Sequence, residues 1–328
     1  MPLIRKVNNG NTEAVLSVEN LRTYFFTKKG IVKAVDDISF DLNKGEILCI
    51  IGESGSGKTA TALSILRLIE KPGEIVDGSI LFQGKDILKL KEEEMRKIRG
   101  NKISMIFQDA SSSLNPVLRI CDQINESLML HLQLKKEKAR EKAIDILTSV
   151  GIPHAGERLD EYPHQFSGGM KQRVMIAMAL SCSPLALIAD EPTTALDVTI
   201  QAQILDIFKE LKSGISILYI THDLAVVSEI ADRIIVMYSG KFLEEGDAGE
   251  LLENPKHPYM QGLMGCLPSG KGRLVSIPGS IPSLIDLPPG CVFNPRCTHA
   301  MEICKKRMPG ETRISDRHSV RCHLYGTA

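Results

Sequence analysis

Three groups of residues in this chain have the types and spacing to do chemistry. The first is Gly52-Glu53-Ser54-Gly55-Ser56-Gly57-Lys58-Thr59, a GxxxxGKT pattern. The second is a set of polar residues that each follow an apolar run: Gln108 after Ile103 to Phe107, Asp190-Glu191 after Leu185 to Ala189, and His222 after Ile217 to Ile220. The third is four cysteines, Cys291, Cys297, Cys304 and Cys322, crowded towards the end of the chain.

The glycine loop follows Ile47-Leu48-Cys49-Ile50-Ile51, which reads as a buried strand, and leads into Ala60 to Leu66, whose apolar spacing suits a helix. Strand, glycine loop and helix is the order a phosphate-binding loop requires. Its glycines let N–H groups turn inward at phosphate oxygens, and the helix N-terminus adds partial positive charge behind them. Lys58 is expected to reach the β- and γ-phosphates, and Thr59 to ligate Mg²⁺ through its hydroxyl, so the expected ligand is a nucleoside triphosphate.

Two adjacent carboxylates at the end of a buried parallel-type strand are costly unless used. Chemistry explains both: Asp190 can hold Mg²⁺ through water, and Glu191 can polarise an attacking water as general base. Gln108 at its strand end reads equally as a loop hydrogen-bonder, and a lone histidine such as His222 is more often structural than catalytic. Ser167-Gly168-Gly169 opens an amphipathic segment from Lys171 to Ser181. It reads as a helix cap that also frees backbone donors for an anion. Tyr24-Phe25-Phe26 could stack on a purine base or belong to the core.

The elements that must position these groups alternate strands and helices. Strands are expected at Ala14 to Val18, Ile38 to Leu42, Gly78 to Phe82, Ile103 to Phe107, Leu185 to Ala189 and Ile217 to Ile220, with a hairpin of Ile234 to Met237 and Gly240 to Glu244. A charged helix is expected over Lys89 to Arg99. A helical insert follows, with Ile124, Leu128, Leu130, Ala143, Ile144, Leu147 and Val150 at helical spacing. Residues 1–14 are polar and expected to be loose. Pro255 to Pro295, rich in Pro and Gly, marks the start of a tail module. Forty basic and forty acidic side chains cancel, so no global field attracts nucleic acid. No apolar run reaches the ~20 residues of a membrane span, and no signal-peptide core is present, so the chain is expected in the cytosol.

In this order, Gly52 to Thr59, Gln108, Ser167-Gly168-Gly169, Asp190-Glu191, Ala195-Leu196-Asp197 and His222 resemble the ATP-binding subunit of ABC transporters. Phe166-Ser167-Gly168-Gly169-Met170 is similar to the signature loop, Ala195 to Asp197 to the D-loop, and His222 to the switch histidine. Met170 stands where the commonest signature has glutamine, and its thioether cannot donate the amide's hydrogen bond. Phe166, Met170 and the tail Gly290 to Cys297 resemble the oligopeptide and dipeptide import branch, with nickel importers as close relatives.

The resemblance implies an α/β P-loop ATPase with a RecA-like core sheet, an antiparallel β subdomain and a helical subdomain at about 110–180. Residues 1–254 would form the nucleotide-binding domain and 255–328 a small cysteine-rich C-terminal domain. ATP would be held by Gly52, Ser54, Gly55, Ser56, Gly57, Lys58, Thr59 and Ala60, with Tyr24 or Phe25 facing adenine. Mg²⁺ would be held by Thr59, Gln108 and Asp190. Glu191, His222 and Gln108 would act in catalysis, and Ser167, Gly168 and Gly169 would serve a second subunit's ATP. The implied partners are a second ATP-binding subunit, two transmembrane permease subunits and, indirectly, an extracytoplasmic peptide-binding protein. The implied place is the cytoplasmic face of the membrane. A rival reading is an ABC ATPase acting on nucleic acid or ribosomes, although such proteins usually carry two cassettes or a long coiled coil.

The tail spacing is Cys291-x5-Cys297-x6-Cys304-x17-Cys322. A disulfide pair is disfavoured in a cytosolic protein, and zinc sites usually pair cysteines two to four residues apart. A [4Fe–4S] cluster takes four thiolates at looser spacing, and relatives in the dipeptide branch carry one at the matching tail. The cluster is the preferred reading, with zinc the alternative and no metal a third. The other four cysteines, Cys49, Cys121, Cys182 and Cys266, are expected as buried small hydrophobes.

Overall fold

Ile47 to Ile51 is buried at every position, so this run needs cover on both faces. The structure, a computed structural model, describes residues 13–109, 113–194, 196–266 and 276–326. In chain order its strands are β1 (Ala14–Thr27), β2 (Gly30–Asn43), β3 (Ile47–Ile51), β4 (Gly73–Phe82), β5 (Lys85–Asp86), β6 (Ile103–Ile106), β7 (Ala186–Asp190), β8 (Ser216–Thr221), β9 (Arg233–Tyr238), β10 (Lys241–Asp247), β11 (Thr312–Ser315) and β12 (His318–Val320). They form a four-stranded sheet, β2-β1-β4-β5, and an eight-stranded sheet, β11-β12-β10-β9-β3-β8-β7-β6.

The larger sheet is the scaffold of the site. Its strands β9, β3, β8, β7 and β6 run parallel, with Ile51 beside Thr221 and Val236, Asp190 beside Ile220, and Ile106 beside Ala189. Their carboxyl ends therefore lie in one row, the edge at which open α/β sheets place ligands. Ile47, Cys49 and Ile51 face one core while Leu48 and Ile50 face the other, as a period of two demands. The first core is filled from the helical insert, the second from the antiparallel sheet, with Leu16, Val18, Leu21, Ile38, Phe40 and Leu42 packed against it.

The helical insert consists of helices Ile120–Leu132, Lys136–Ser149, Ala155–Arg158 and Gly168–Leu180. Ile120, Ile124 and Leu128 are fully buried, but Leu130 is 63% exposed. The expectation for Leu130 is corrected because two residues along a helix from Leu128 is a rotation onto the opposite face. The expected helix at Lys89 to Arg99 is only Glu92–Arg96, preceded by a single 3₁₀ turn, Ile87–Lys89. Strand β1 runs on to Thr27 and so absorbs the aromatic cluster. Cys49, Cys121 and Cys182 are buried as expected, whereas Cys266 is exposed.

The segment after residue 254 extends the main sheet and does not build a core of its own. β12 pairs antiparallel with β10, and Cys291, Val292, Phe293 and Cys304 belong to the same core as the helical insert. Phe293 packs edge-on against Tyr238 of β9 at 5.3 Å and lies 5.3 Å from Tyr259 of helix Pro258–Gly265. His318 fixes the hairpin: its Nε2 lies 2.7 Å from Glu244 Oε1, both side chains fully buried. Glu244 also accepts the backbone N–H groups of Lys256 and His257 at 2.6 and 2.9 Å. His318→Ala is expected to destabilise the fold by about 3 kcal/mol, because it strands a buried carboxylate. Urea unfolding without nucleotide measures this. Ala195 of the expected D-loop, residues 110–112, 267–275 of the Pro- and Gly-rich stretch and 1–12 of the N-terminus expected to be loose lie outside the described residues.

Candidate active site

The glycine loop leaves β3 and wraps onto α1 (Lys58–Ile65), whose N-cap is Gly57. Gly57 has φ 108°, and a Cβ there would run into the Ala34 carbonyl; one at Gly52 would run into the Met237 carbonyl. These two approaches require glycine, and they press the loop into the row of strand ends. Lys58 is almost fully buried, and its Nζ donates to the carbonyls of Gly52 at 2.7 Å and Glu53 at 3.1 Å. Burial pulls its ammonium below the ordinary lysine value, and the carboxylates of Glu191, Asp190 and Glu53 oppose that pull. The Oγ of Ser56 is buried with no partner among the described residues.

Glu191 is the point of convergence. Gln108 Nε2 donates to its Oε2 at 3.2 Å, and Thr194 Oγ1 donates to the same oxygen at 3.1 Å. His222 Nδ1 lies 3.2 Å from its Oε1, and Lys58 Nζ lies 3.9 Å from that oxygen. Four residues from four separate strand ends or loops thus meet at one carboxylate. Glu191 also holds φ 47°, in the left-handed region that a non-glycine residue rarely adopts. Such strain gathers where a side chain must be aimed.

Asp190 sits one residue back and inward. Burial pushes its carboxyl up from the usual range, and a hydrogen bond from the Thr59 hydroxyl opposes the rise. Its Oδ1 is buried with no partner among the described residues. An anionic oxygen left unsatisfied beside a threonine hydroxyl and a phosphate loop fits a site for Mg²⁺.

The structure keeps the other expected site residues apart from this cluster. Ser167 caps helix Gly168–Leu180 by accepting the Met170 N–H at 3.3 Å, with Ser167 and Gly168 exposed. Gly168 has open space where a Cβ would go, whereas a Cβ at Gly169 would sit 2.8 Å from Ile200 on helix Val198–Leu211. Among the described residues no hydrogen bond or ion pair joins Ser167 to Gly169 with the phosphate loop. Met170 is half-buried against the core of the helical insert. Tyr24 and Phe25 are both half-buried on β1. The Tyr24 hydroxyl donates to Asp36 at 2.7 Å; burial and then this bond raise it to about 12. Phe25 lies against Gly73, where a Cβ would meet its ring at 2.6 Å.

Thr194 and Arg296 were not legible as site residues in the sequence. Arg296 forks onto the Glu53 carboxylate from 243 positions away, a separation over which local patterning carries no signal. The four tail cysteines line one cavity together with His257, Phe293, His299 and His323. Burial pushes the Cys291 thiol up to about 12, with Cys304, Cys322 and Cys297 adding to the rise. Among the described residues, no group of three or more His, Cys, Asp or Glu side chains is gathered as a metal-ion site.

Fold and site together define a P-loop ATPase, and the comparisons narrow the class. Residues 35–194 match the ABC transporter family, and residues 243–304 match the oligopeptide/dipeptide transporter C-terminal region. The dipeptide transport ATP-binding protein DppD of Bacillus subtilis is 51% identical over 318 residues, 95% of each chain. The Escherichia coli protein of the same name is 46% identical over 315 residues, 94% of this chain and 96% of its own. Among solved structures, the dimeric bacterial ABC transporter cassette MJ0796 superposes with a TM-score of 0.64 at 27% identity, over 71% of this chain and 98% of that one. The chain belongs to the ATP-binding subunits of the oligopeptide/dipeptide family of ABC transporters.

Proposed function

We propose that this chain is the ATP-hydrolysing subunit that powers an ABC importer of dipeptides or oligopeptides. The observation that carries the reading is the convergence of Gln108, Thr194, His222 and Lys58 on Glu191 at the carboxyl edge of the sheet. Gly52, Ser54, Gly55, Ser56, Gly57, Lys58, Thr59 and Ala60 hold the triphosphate, and Tyr24 or Phe25 faces the base. Thr59, Asp190 and Gln108 hold Mg²⁺, which when bound offsets charge on the phosphates. Glu191 accepts the proton of the attacking water, His222 contacts the γ-phosphate, and Gln108 senses both. The relatives' names, dipeptide and oligopeptide transport, favour a peptide cargo over nickel.

Two copies, or this chain and a similar one, close head to tail so that each ATP lies between one phosphate loop and the other chain's Ser167-Gly168-Gly169. The exposed helix start at Ser167, open above Gly168, supports this. It is an anion-binding end that its own loop leaves unused. Closure drives two permease subunits, and a peptide-binding protein delivers cargo from outside. Attachment comes through the permeases at the cytoplasmic face; among the described residues no helix is long and apolar enough to cross a membrane. The test is size: Glu191→Gln with ATP is expected to elute as a dimer, and a monomer under those conditions would count against the shared site.

Residues 255–328 carry a [4Fe–4S] cluster on Cys291, Cys297, Cys304 and Cys322. The four thiols that line one cavity support this reading, and their spacing, looser than the two to four residues usual for zinc pairs, favours a cluster over zinc. Cys291→Ser is expected to lose most of the bound iron and the absorbance at about 400 nm in anaerobically purified protein. A colourless wild-type sample loaded with zinc would select the alternative.

A further inference from the structure

Glu53, the second residue of the phosphate loop, is held at both its backbone and its carboxylate by residues beyond position 255. Its backbone N–H donates to the Tyr259 hydroxyl at 2.9 Å. Its carboxylate accepts a fork from Arg296, Nη1 at 2.6 Å and Nη2 at 3.1 Å. The Arg296 side chain is 4% exposed and that of Glu53 27%, so the pair is a charge-assisted, bidentate bond buried on the arginine's side. The guanidinium is braced in turn by the Pro278 carbonyl at 2.9 Å and the Tyr238 hydroxyl at 3.3 Å. This is a second support for the triphosphate cradle, contributed by the tail.

Both holds on Glu53 are rooted in the wall of the cysteine cavity. Arg296 ends a single 3₁₀ turn, Asn294–Arg296, bounded by Cys291 and Cys297. Asn294 closes that turn on the Cys291 carbonyl through its backbone N–H at 3.0 Å and its Nδ2 at 2.7 Å. On the other side, the Tyr259 backbone N–H donates to Nδ1 of His257, which lines the same cavity. The proton of that imidazole therefore sits on Nε2, a buried atom with no partner among the described residues. It is a donor available to whatever fills the cavity.

We propose that Arg296 is a positioning residue for the phosphate loop, and that through it and Tyr259 the state of the cysteine cavity sets the affinity for ATP. With the cavity filled, the turn between Cys291 and Cys297 is held, Arg296 neutralises Glu53, and the loop keeps its phosphate-binding shape. With the cavity emptied, the turn loosens and Glu53 is released as an unpaired negative charge beside the triphosphate. The link from cavity to loop rests on the reading of the four cysteines as ligands; the hold of Arg296 on Glu53 does not.

The experiment uses the full chain, purified anaerobically, with a fluorescent ATP analogue for affinity, ATPase assays for KM and kcat, and iron and zinc analysis of every sample. Arg296→Ala is expected to raise the KM for ATP and the analogue Kd about tenfold, the effect of one unpaired charge in a partly buried site, with kcat nearly unchanged. Adding Glu53→Gln to Arg296→Ala is expected to recover most of that loss, and Arg296→Lys to recover part of it. Removing the bound metal with a chelator is expected to weaken ATP binding in the wild type but not in Arg296→Ala. Additive effects of Arg296→Ala and Glu53→Gln would overturn the positioning role, since a merely structural arginine would not be rescued by neutralising Glu53. Equal ATP affinity of filled and emptied wild type would overturn the link to the cavity. Metal-free wild-type protein in which Arg296 and Glu53 still couple would overturn the cysteine reading and the link while supporting the positioning role.

Discussion

Glu191→Gln is expected to keep ATP binding within about threefold of wild type while lowering turnover by about 10²- to 10⁴-fold, the range a general base supplies. The amide preserves the shape and the bonds from Gln108 and Thr194, both of which donate to Oε2. It loses the capacity to take a proton from water. Binding is expected to survive because Lys58 keeps its bonds to the Gly52 and Glu53 carbonyls and faces Glu191 only at 3.9 Å, with Asp190 and Glu53 still holding it charged. Steady-state ATPase together with nucleotide titration separates the two effects. Unimpaired hydrolysis would remove Glu191 from the base role. A parallel loss of binding would instead make it a structural residue of the cradle.

Lys58→Ala is expected to weaken ATP binding by about 10²-fold or more. The ammonium now rests on the carbonyls of Gly52 and Glu53, pre-placed at the mouth of the loop. Its burial lowers its proton affinity, whereas Asp190 and Glu191 hold it charged. Removing it deletes the charge that meets the phosphates and leaves two carboxylates to repel them. Lys58→Arg is not expected to rescue, because a planar guanidinium does not replace a compact ammonium at this almost fully buried position. Titration with a fluorescent nucleotide reads both variants; wild-type affinity in Lys58→Ala would refute the assignment.

Much of this site was legible because its chemistry is written in short stretches. Gly52 to Thr59 is a contiguous pattern whose neighbours also fit, and Asp190-Glu191 stands out because two carboxylates end an apolar run. The alternation of β3 and β8 between two cores was likewise implicit in their unbroken apolar runs. What the sequence hid depends on contacts between distant positions. Gln108 and His222 were marked only by their strand-end positions and by the resemblance, and it is the parallel register of β6, β7 and β8 that brings them to one carboxylate. Leu130 was misplaced by two positions of helical phase. The short hairpin of β11 and β12 gave no alternation long enough to read, and it is stabilised by the buried pairing of His318 with Glu244. Arg296, set among the tail cysteines, looked like part of their motif, while the structure turns it towards Glu53.

The most direct test of the central claim is ATP-driven uptake. The chain is reconstituted in vesicles with its two permease subunits, its partner ATP-binding subunit if that differs, and the peptide-binding protein, and a labelled dipeptide is followed. The account predicts uptake that requires ATP and stops when Glu191→Gln replaces the wild type. Vesicles that hydrolyse ATP without moving peptide, or that move peptide equally well with Glu191→Gln, would contradict it.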